Sequence, residues 1–237
     1  MKSIAIIPAR SGSKGLPNKN IKNLNGFPLM SYTIKAALEA ECFDEVMVST
    51  ESSQYAEIAK RYGANVPFYR SEEMSQDSAG TWDTVREVLV RYKEIGKEFD
   101  YVALLQPTSP LRDAYDIKAA FEKLQMNKIN NVVSITEVEH PVQWCFKLGN
   151  GRTMDDMALS PYNYIRRQDL EKYYRENGAI YIIDAKKILR KEYNFYADQC
   201  YGYEMPQEKS IDIDTALDFL VAEIILKNNI HNGISLF

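Results

Sequence analysis

"SIAIIPARSGSKGLPNKN" (Ser3–Asn20) decides the fold. A short apolar run, Ile4 to Ile7, stops at Pro8 and predicts a buried first strand. The loop after it is small, flexible and cationic: Arg10, Gly12, Lys14, Gly15 and Lys19. No acidic residue lies between Met1 and Leu38, although the 237-residue chain carries a formal net charge of -4. A glycine-rich loop after the first strand of an α/β sheet lies at the strands' carboxyl end, where such folds bind ligands. Glycines let backbone N–H groups approach an anion, and the three cations can neutralise a polyphosphate. The plain alternative is a basic loop in solvent. The loop is neither a P-loop, since no Lys-Ser/Thr pair closes it, nor a G-x-G-x-x-G dinucleotide turn.

Outward from that loop, short apolar runs alternate with amphipathic segments, which predicts an α/β fold of βαβ units around a mainly parallel sheet. "PLMSYTIKAALEA" predicts a helix with Leu29, Tyr32, Ile34, Ala36 and Ala37 on its apolar face. "EVMVST" predicts a strand, and "SSQYAEIAKRYG" a helix capped by Ser52 or Ser53 and stopped at Gly63. "VPFYR" predicts a short edge strand, limited by Pro67. "SAGTWDTVREVLVRY" predicts a helix, "YVALLQP" a buried strand, "DAYDIKAAFEKL" a helix and "NNVVSITEV" a strand. From about Glu139 to Glu176 the rhythm breaks into turns and mixed patterns, which fits an insertion: a lid, or an arm for a partner subunit. Regular pattern returns with "GAIYIID", "KKILRK", "QCYGYEM" and a last helix, "TALDFLVAEIILKNN".

Composition narrows the function. No apolar stretch is long enough for a membrane span, and the N-terminus lacks a secretory pattern. An acidic chain is a poor nucleic-acid binder. Cys42, Cys145 and Cys200 are odd in number and widely spaced, which fits reduced thiols in the cytoplasm better than disulfides or zinc. Of the two histidines, His231 sits in a polar tail predicted to be solvated and His140 precedes Pro141 in a predicted loop or interface. Catalysis is therefore expected to rest on carboxylates, cations or a metal.

The string "IIPARSGSKGLPNKNIKNLNGFPLMSYTIKAA" resembles the N-terminus of the acylneuraminate cytidylyltransferases, the enzymes that make CMP-sialic acids. "LLQPTSPLR" (Leu104–Arg112), "NGAIY" (Asn177–Tyr181) and "SIDIDTALDF" (Ser210–Phe219) continue the resemblance in order along the chain. It implies a Rossmann-like, three-layer nucleotide-diphosphosugar-transferase fold in a single domain, with residues 139–176 as an inserted dimerisation arm. It also implies the reaction: the anomeric 2-hydroxyl of a nine-carbon 2-keto sugar acid attacks the α-phosphorus of CTP, and pyrophosphate leaves. Legionaminate, pseudaminate, a deaminated nonulosonate or the eight-carbon 3-deoxy-manno-octulosonate are alternative acceptors, and a non-catalytic nucleotide-binding module is a remote one.

By this resemblance Arg10, Lys14 and Lys19 bind phosphate, Ser13 and Gly15 add donors, and Asn20 contacts the nucleotide. Arg70, Ala79, Gly80 and Thr81 match the cytosine and ribose segment; a helix start with Ser78 as cap and Asp83 in the first turn explains the same residues. Gln106, Thr108 and Ser109 stand at the sheet's carboxyl edge, with Gln106 on the sugar acid. Arg167, Arg175, Tyr181, Phe195 and Tyr196 match positions that meet the sugar acid, the aromatics having ordinary core packing as their alternative. Gln143 in "EHPVQW" stands where some members carry a lysine that reaches the neighbouring subunit's site. The arm implies a homodimer with shared active sites, in which Trp144, Phe146, Tyr162 and Tyr164 are interface candidates.

Asp212 and Asp214 alternate, so in a strand-like stretch they share one face. Two close carboxylates suit Mg²⁺; the alternative is an aspartate cap on the last helix. With Arg10 and Lys19 they complete the expected catalytic set, Asp212 or a water on it taking the hydroxyl proton.

Overall fold

The computed structural model describes residues 1–12, 15–126, 129–196 and 199–231. The predicted first strand, β1 (Ser3–Pro8), lies inside the main sheet. It pairs in parallel with β4 (Glu45–Ser49) on one side and β5 (Tyr101–Leu104) on the other. Two short strands, β2 (Asn23–Leu24) and β3 (Phe27–Pro28), form a separate hairpin. β6 (Asn131–Glu137), β7 (Tyr174–Asp184) and β8 (Cys200–Glu204) extend the sheet to the order β4-β1-β5-β7-β6-β8. β7 alone of these six runs against the rest, pairing antiparallel with β5 and β6.

The helices are α1 (Leu29–Glu39), α2 (Ser53–Arg61), α3 (Glu72–Ser75), α4 (Thr81–Glu94), α5 (Ala114–Glu122), α6 (Asp155–Ala158), α7 (Ala185–Leu189) and α8 (Ala216–His231). Alternation along β1 sorts them into layers. Ala5 and Ile7 pack with Met30 and Ile34 of α1, Tyr55 of α2 and Ile117 of α5. Ile4 and Ile6 face the other way, against Val85, Val88 and Leu89 of α4 and Ile188 of α7. A third, smaller core joins Phe219, Ala222 and Leu226 of α8 to Leu24 and Leu29. That packing returns the end of the chain to the opening loop.

Ser52 caps α2, its hydroxyl accepting the Tyr55 N–H, and Asp113 and Asp116 form a reciprocal box on α5. Three expectations need correction. Residues 66–70 form no strand: Asn65 makes one isolated bridge to Met47, and Pro67 has no N–H to carry a ladder on. The cap of α4 is Gly80 rather than Ser78, so the cap residue has no side chain to accept from the helix's first N–H groups. Residues 211–214 are an extended loop outside any strand, because Ile213 N donates to the Thr108 carbonyl (2.8 Å) rather than to a sheet edge.

Between β6 and β7 the chain makes only short helical turns, with Leu159 85 % and Tyr164 98 % exposed. β7 begins while still exposed, at Tyr174, and its register with β6 breaks between Val133 and Ile135. Gly178, at φ +76°, supplies the left-handed backbone that this break requires.

Candidate active site

β1, β4 and β5 end side by side, with Pro8 opposite Ser49 and Ile6 opposite Leu104. The chain crosses from β4 to β5 past β1, so their carboxyl ends open a crevice at a switch in strand order. A cleft of ≈ 440 Å³ lies there, lined by Arg10, Gly15, Lys19, Gln106, Thr108 and Asp214 among others. Arg10 and Thr81 also line an adjoining ≈ 300 Å³ hollow, with Arg70, Gln76, Asp77 and Ala79.

Lys19 sits on a single helical turn entered through Asn18 in a left-handed conformation (φ 53°). Its Nζ donates to the Ile213 carbonyl (2.6 Å) and to Asp214 Oδ1 (2.9 Å). An ammonium has three donors, so one remains for a ligand. Gly15 passes so close that a Cβ there would lie 2.7 Å from the Asp214 carbonyl oxygen, and only glycine permits that approach. Asn20 is buried, and its Nδ2 donates to the Arg10 carbonyl (3.0 Å), pinning the loop's exit to its entrance. Arg10 pairs with Asp77 (2.6 Å). Ser13 and Lys14 lie outside the described residues.

Glu51, which no sequence pattern singles out, anchors the loop: its Oε1 accepts the Ser11 N–H (2.7 Å) and hydroxyl (2.5 Å). Burial alone would raise its pKa, but these bonds and the Arg70 charge leave it below the usual carboxylate value. Arg70 is buried and donates to Ser49 through Nε (3.1 Å) and one terminal nitrogen (2.7 Å). Burial pushes its pKa down to about 10, with Glu51 and Glu87 opposing, so it stays charged at neutral pH. Ala79, Gly80 and Thr81 bring the positive end of the 14-residue helix α4 to the same hollow.

Asp214 is free of the capping role. Thr215 precedes α8, and Asp218 Oδ2 accepts the Thr215 N–H (2.7 Å) and hydroxyl (2.8 Å), while Asp218 N donates to Thr215 Oγ1 (3.3 Å). Asp214, 74 % exposed, is left for Lys19 and for ligands. Asp212 is more enclosed, and its Oδ1 has no hydrogen-bond partner. Burial pushes its pKa up, Asp214 and Asp218 add to this, and Thr108 and Lys19 oppose it. A buried orphan carboxylate oxygen next to a second carboxylate is a donor set suited to a hard divalent cation such as Mg²⁺, which takes one or two carboxylates and fills its shell with phosphate and water. No group of three or more His, Cys, Asp or Glu that could hold a metal occurs among the described residues, so substrate oxygens would have to complete the shell.

Asp212 is held by the segment before it. Buried Asn177 donates to Ser210 Oγ (2.9 Å) and accepts the Ser134 hydroxyl (2.6 Å), which ties the break in β7 to the aspartate segment. Gly178 then faces Asp212 and Gln106, both within 3.6 Å of where its Cβ would stand. Ser109 is buried, its N–H donating to the Gln106 carbonyl (3.4 Å). Tyr181 donates to Glu176 Oε2 (2.9 Å), and its ring meets Trp82 edge-on at 5.8 Å. Burial, and after it the Glu176 carboxylate, push the Tyr196 pKa up. These residues form a lobe beside the cleft. Phe195 corrects the expectation of a ligand wall: it is 1 % exposed and packs behind Trp82 at 4.7 Å, so Trp82 is the ring nearer the lobe.

A cytidylyltransferase family model matches residues 4–231. The chain is 43% identical over 93% of its length to an N-acylneuraminate cytidylyltransferase of Streptococcus agalactiae serotype V, and the match spans 52% of that relative. It is 38% identical to a CMP-N,N'-diacetyllegionaminic acid synthase of Legionella pneumophila, over 97% of this chain and 98% of the relative. The chain belongs to the cytidylyltransferase family. It spans about half the length of the streptococcal relative. A CMP:2-keto-3-deoxy-manno-octonic acid synthetase solved with CTP shares the fold at TM-score 0.71 and 17% identity, covering 97% of this chain and 100% of that one.

Not every expected residue reaches the cleft. Gln143 donates to the Glu171 carbonyl (3.2 Å) between β6 and β7, and Arg167 lines a groove there with Pro141, Leu170 and Tyr173, none of which lines the cleft at the strand ends. Arg175 pairs with Glu139 (3.4 Å) on the exposed start of β7. No helix among the described residues is long and apolar enough to cross a membrane.

Proposed function

We propose that the chain transfers CMP from CTP to the anomeric 2-hydroxyl of a nine-carbon 2-keto sugar acid, with a sialic acid first among the candidates. The hydroxyl oxygen attacks the α-phosphorus, the bond from that phosphorus to the β-phosphate oxygen breaks, pyrophosphate leaves, and the hydroxyl proton goes to a base. The observation that carries this reading is the Lys19 ammonium, bonded at once to Ile213 O and Asp214 Oδ1. It joins the cationic loop of the first strand to the aspartate pair at the far end of the sequence, around one cleft.

In this reading Lys19 and Arg10 take phosphate oxygens, Arg10 leaving Asp77 to do so. Arg70 and the amino end of α4 hold the nucleoside side. Gln106 orients the acid, and Asp212, with its raised pKa, or a water on it, receives the proton. Asp212 and Asp214 would hold Mg²⁺, which when bound offsets triphosphate charge.

The homodimer belongs to the same proposal. Gln143 and Arg167 sit on the arm and would enter the partner's pocket, and the exposed Leu159 and Tyr164 give the arm apolar contact surface. Three free thiols favour a reducing cytoplasmic setting.

The test is pyrophosphate release from CTP and Mg²⁺ with N-acetylneuraminate, legionaminate, pseudaminate, the deaminated nonulosonate and 3-deoxy-manno-octulosonate in parallel. A nine-carbon acid should react best. Turnover of the eight-carbon acid alone would move the chain to that substrate class, and CTP binding without turnover on any acid would make it a nucleotide-binding module.

A further inference from the structure

The lobe beside the nucleotide cleft contains one carboxylate that the proposed reaction does not use. Glu176 is exposed, yet it is not loose: the Tyr181 hydroxyl donates to its Oε2 at 2.9 Å. Two residues on, Gly178 faces Asp212 and Gln106. Tyr181 in turn lies edge-on to Trp82, next in sequence to the cleft residue Thr81. Glu176 is thus fixed at the rim of the space next to Gln106 and Asp212, with aromatic rings around it.

A carboxylate accepts hydrogen bonds and repels anions. Glu176 therefore cannot face the sugar acid's own carboxylate and must face a donor. A bare hydroxyl brings no acyl group to lie on the exposed Tyr196 ring or the half-buried Trp82, so nothing seats it against the carboxylate. An acylated amine satisfies both, its N–H donating to Glu176 and its acyl methyl lying on the rings. Holding the carboxylate with the Tyr181 phenol lowers the ordering cost of binding. Resting on the proposed activity, we infer that Glu176 is a specificity-determining residue which accepts a hydrogen bond from the amide N–H of the sugar acid's N-acyl group.

The experiment compares wild type, Glu176→Ala, Glu176→Gln and Tyr181→Phe on N-acetylneuraminate and on the deaminated acid that carries a hydroxyl instead. Glu176→Ala should raise KM for the N-acyl acid roughly ten- to a hundredfold. KM for CTP should not move, and the preference for the N-acyl acid should shrink. Glu176→Gln keeps an acceptor oxygen and should recover most of the loss; Tyr181→Phe removes the prop and should fall between. A purely structural role would instead raise KM for CTP or lower Tm alongside. Equal losses on both acids, a parallel rise in KM for CTP, or no change in Glu176→Ala overturns the assignment while the activity stands. A wild type that turns over no acid overturns the activity, and the assignment with it.

Discussion

At the residue scale, the cleft is assembled by single side chains and by one missing side chain. Gly15→Ala would push a methyl to within 2.7 Å of a backbone oxygen that cannot swing away, so the loop or the Asp214 segment must shift. Since Lys19 is bonded to both Ile213 and Asp214, that shift misplaces the ammonium. The expected result is a loss of about a hundredfold in kcat/KM with little change in Tm; steady-state kinetics beside a thermal melt checks it. Glu51 makes a different prediction. Its folded pKa is depressed, so it adds stability above its unfolded value, near 4.5, and that contribution is lost as pH falls through the folded value. Glu51→Gln should therefore melt below wild type near neutral pH, with the gap closing as pH drops below about 4.5. A gap as wide in strong acid as at pH 7 would show that the Glu51 charge is not what holds Ser11.

At the element scale, the cap of α8 decides whether Asp214 can serve the cleft. Thr215 and Asp218 satisfy the helix's first donors between them, so Asp214 need not. Thr215→Ala breaks that reciprocity and should cost about 1 kcal/mol of stability. Asp214 N, which also donates to Asp218 Oδ2 (3.1 Å), would lose its fixed partner, and turnover should drop more than the stability loss alone explains. Chemical denaturation and kinetics on the same variant separate the two effects. The βα rhythm was legible in the sequence because each strand and helix carries its own period: Ile4 and Ile6 against Ala5 and Ile7, or Ser52 before Tyr55. "SIDID" misled because alternation is necessary for a strand but does not supply a neighbour to pair with, and the backbone there bonds to Thr108. Gly80 outranked Ser78 as cap through the path of the chain rather than its local chemistry. The cleft's cations and aspartates were legible as types. Glu51, Trp82 and Asn177 were not singled out, because each owes its role to partners distant in sequence: Ser11, Tyr181 and Ser210.

At the scale of the whole molecule, the chain holds an open cleft and, between β6 and β7, a segment whose expected sugar-binding groups point elsewhere. Gln143 bonds to the arm's own backbone, and Arg167 lines a groove apart from Gln106 and Asp212. If those groups act at all in the proposed reaction, they act on a neighbouring copy, because the arm leaves the sheet after β6 and rejoins it only at β7. This has a consequence that no single-chain mechanism shares. Arg167→Ala and Asp214→Ala should each be nearly inactive alone. In a two-fold dimer with shared sites, a mixed dimer has one site with both defects and one with neither. Unfolding and refolding the two variants together in equal amounts makes half the dimers mixed, so activity should return to about a quarter of wild type. Recovery that rises with co-refolding and is absent on simple mixing of stable dimers places Arg167 in the partner's site. Persistent inactivity of every mixture, with a dimer confirmed by sedimentation, places Arg167 in its own.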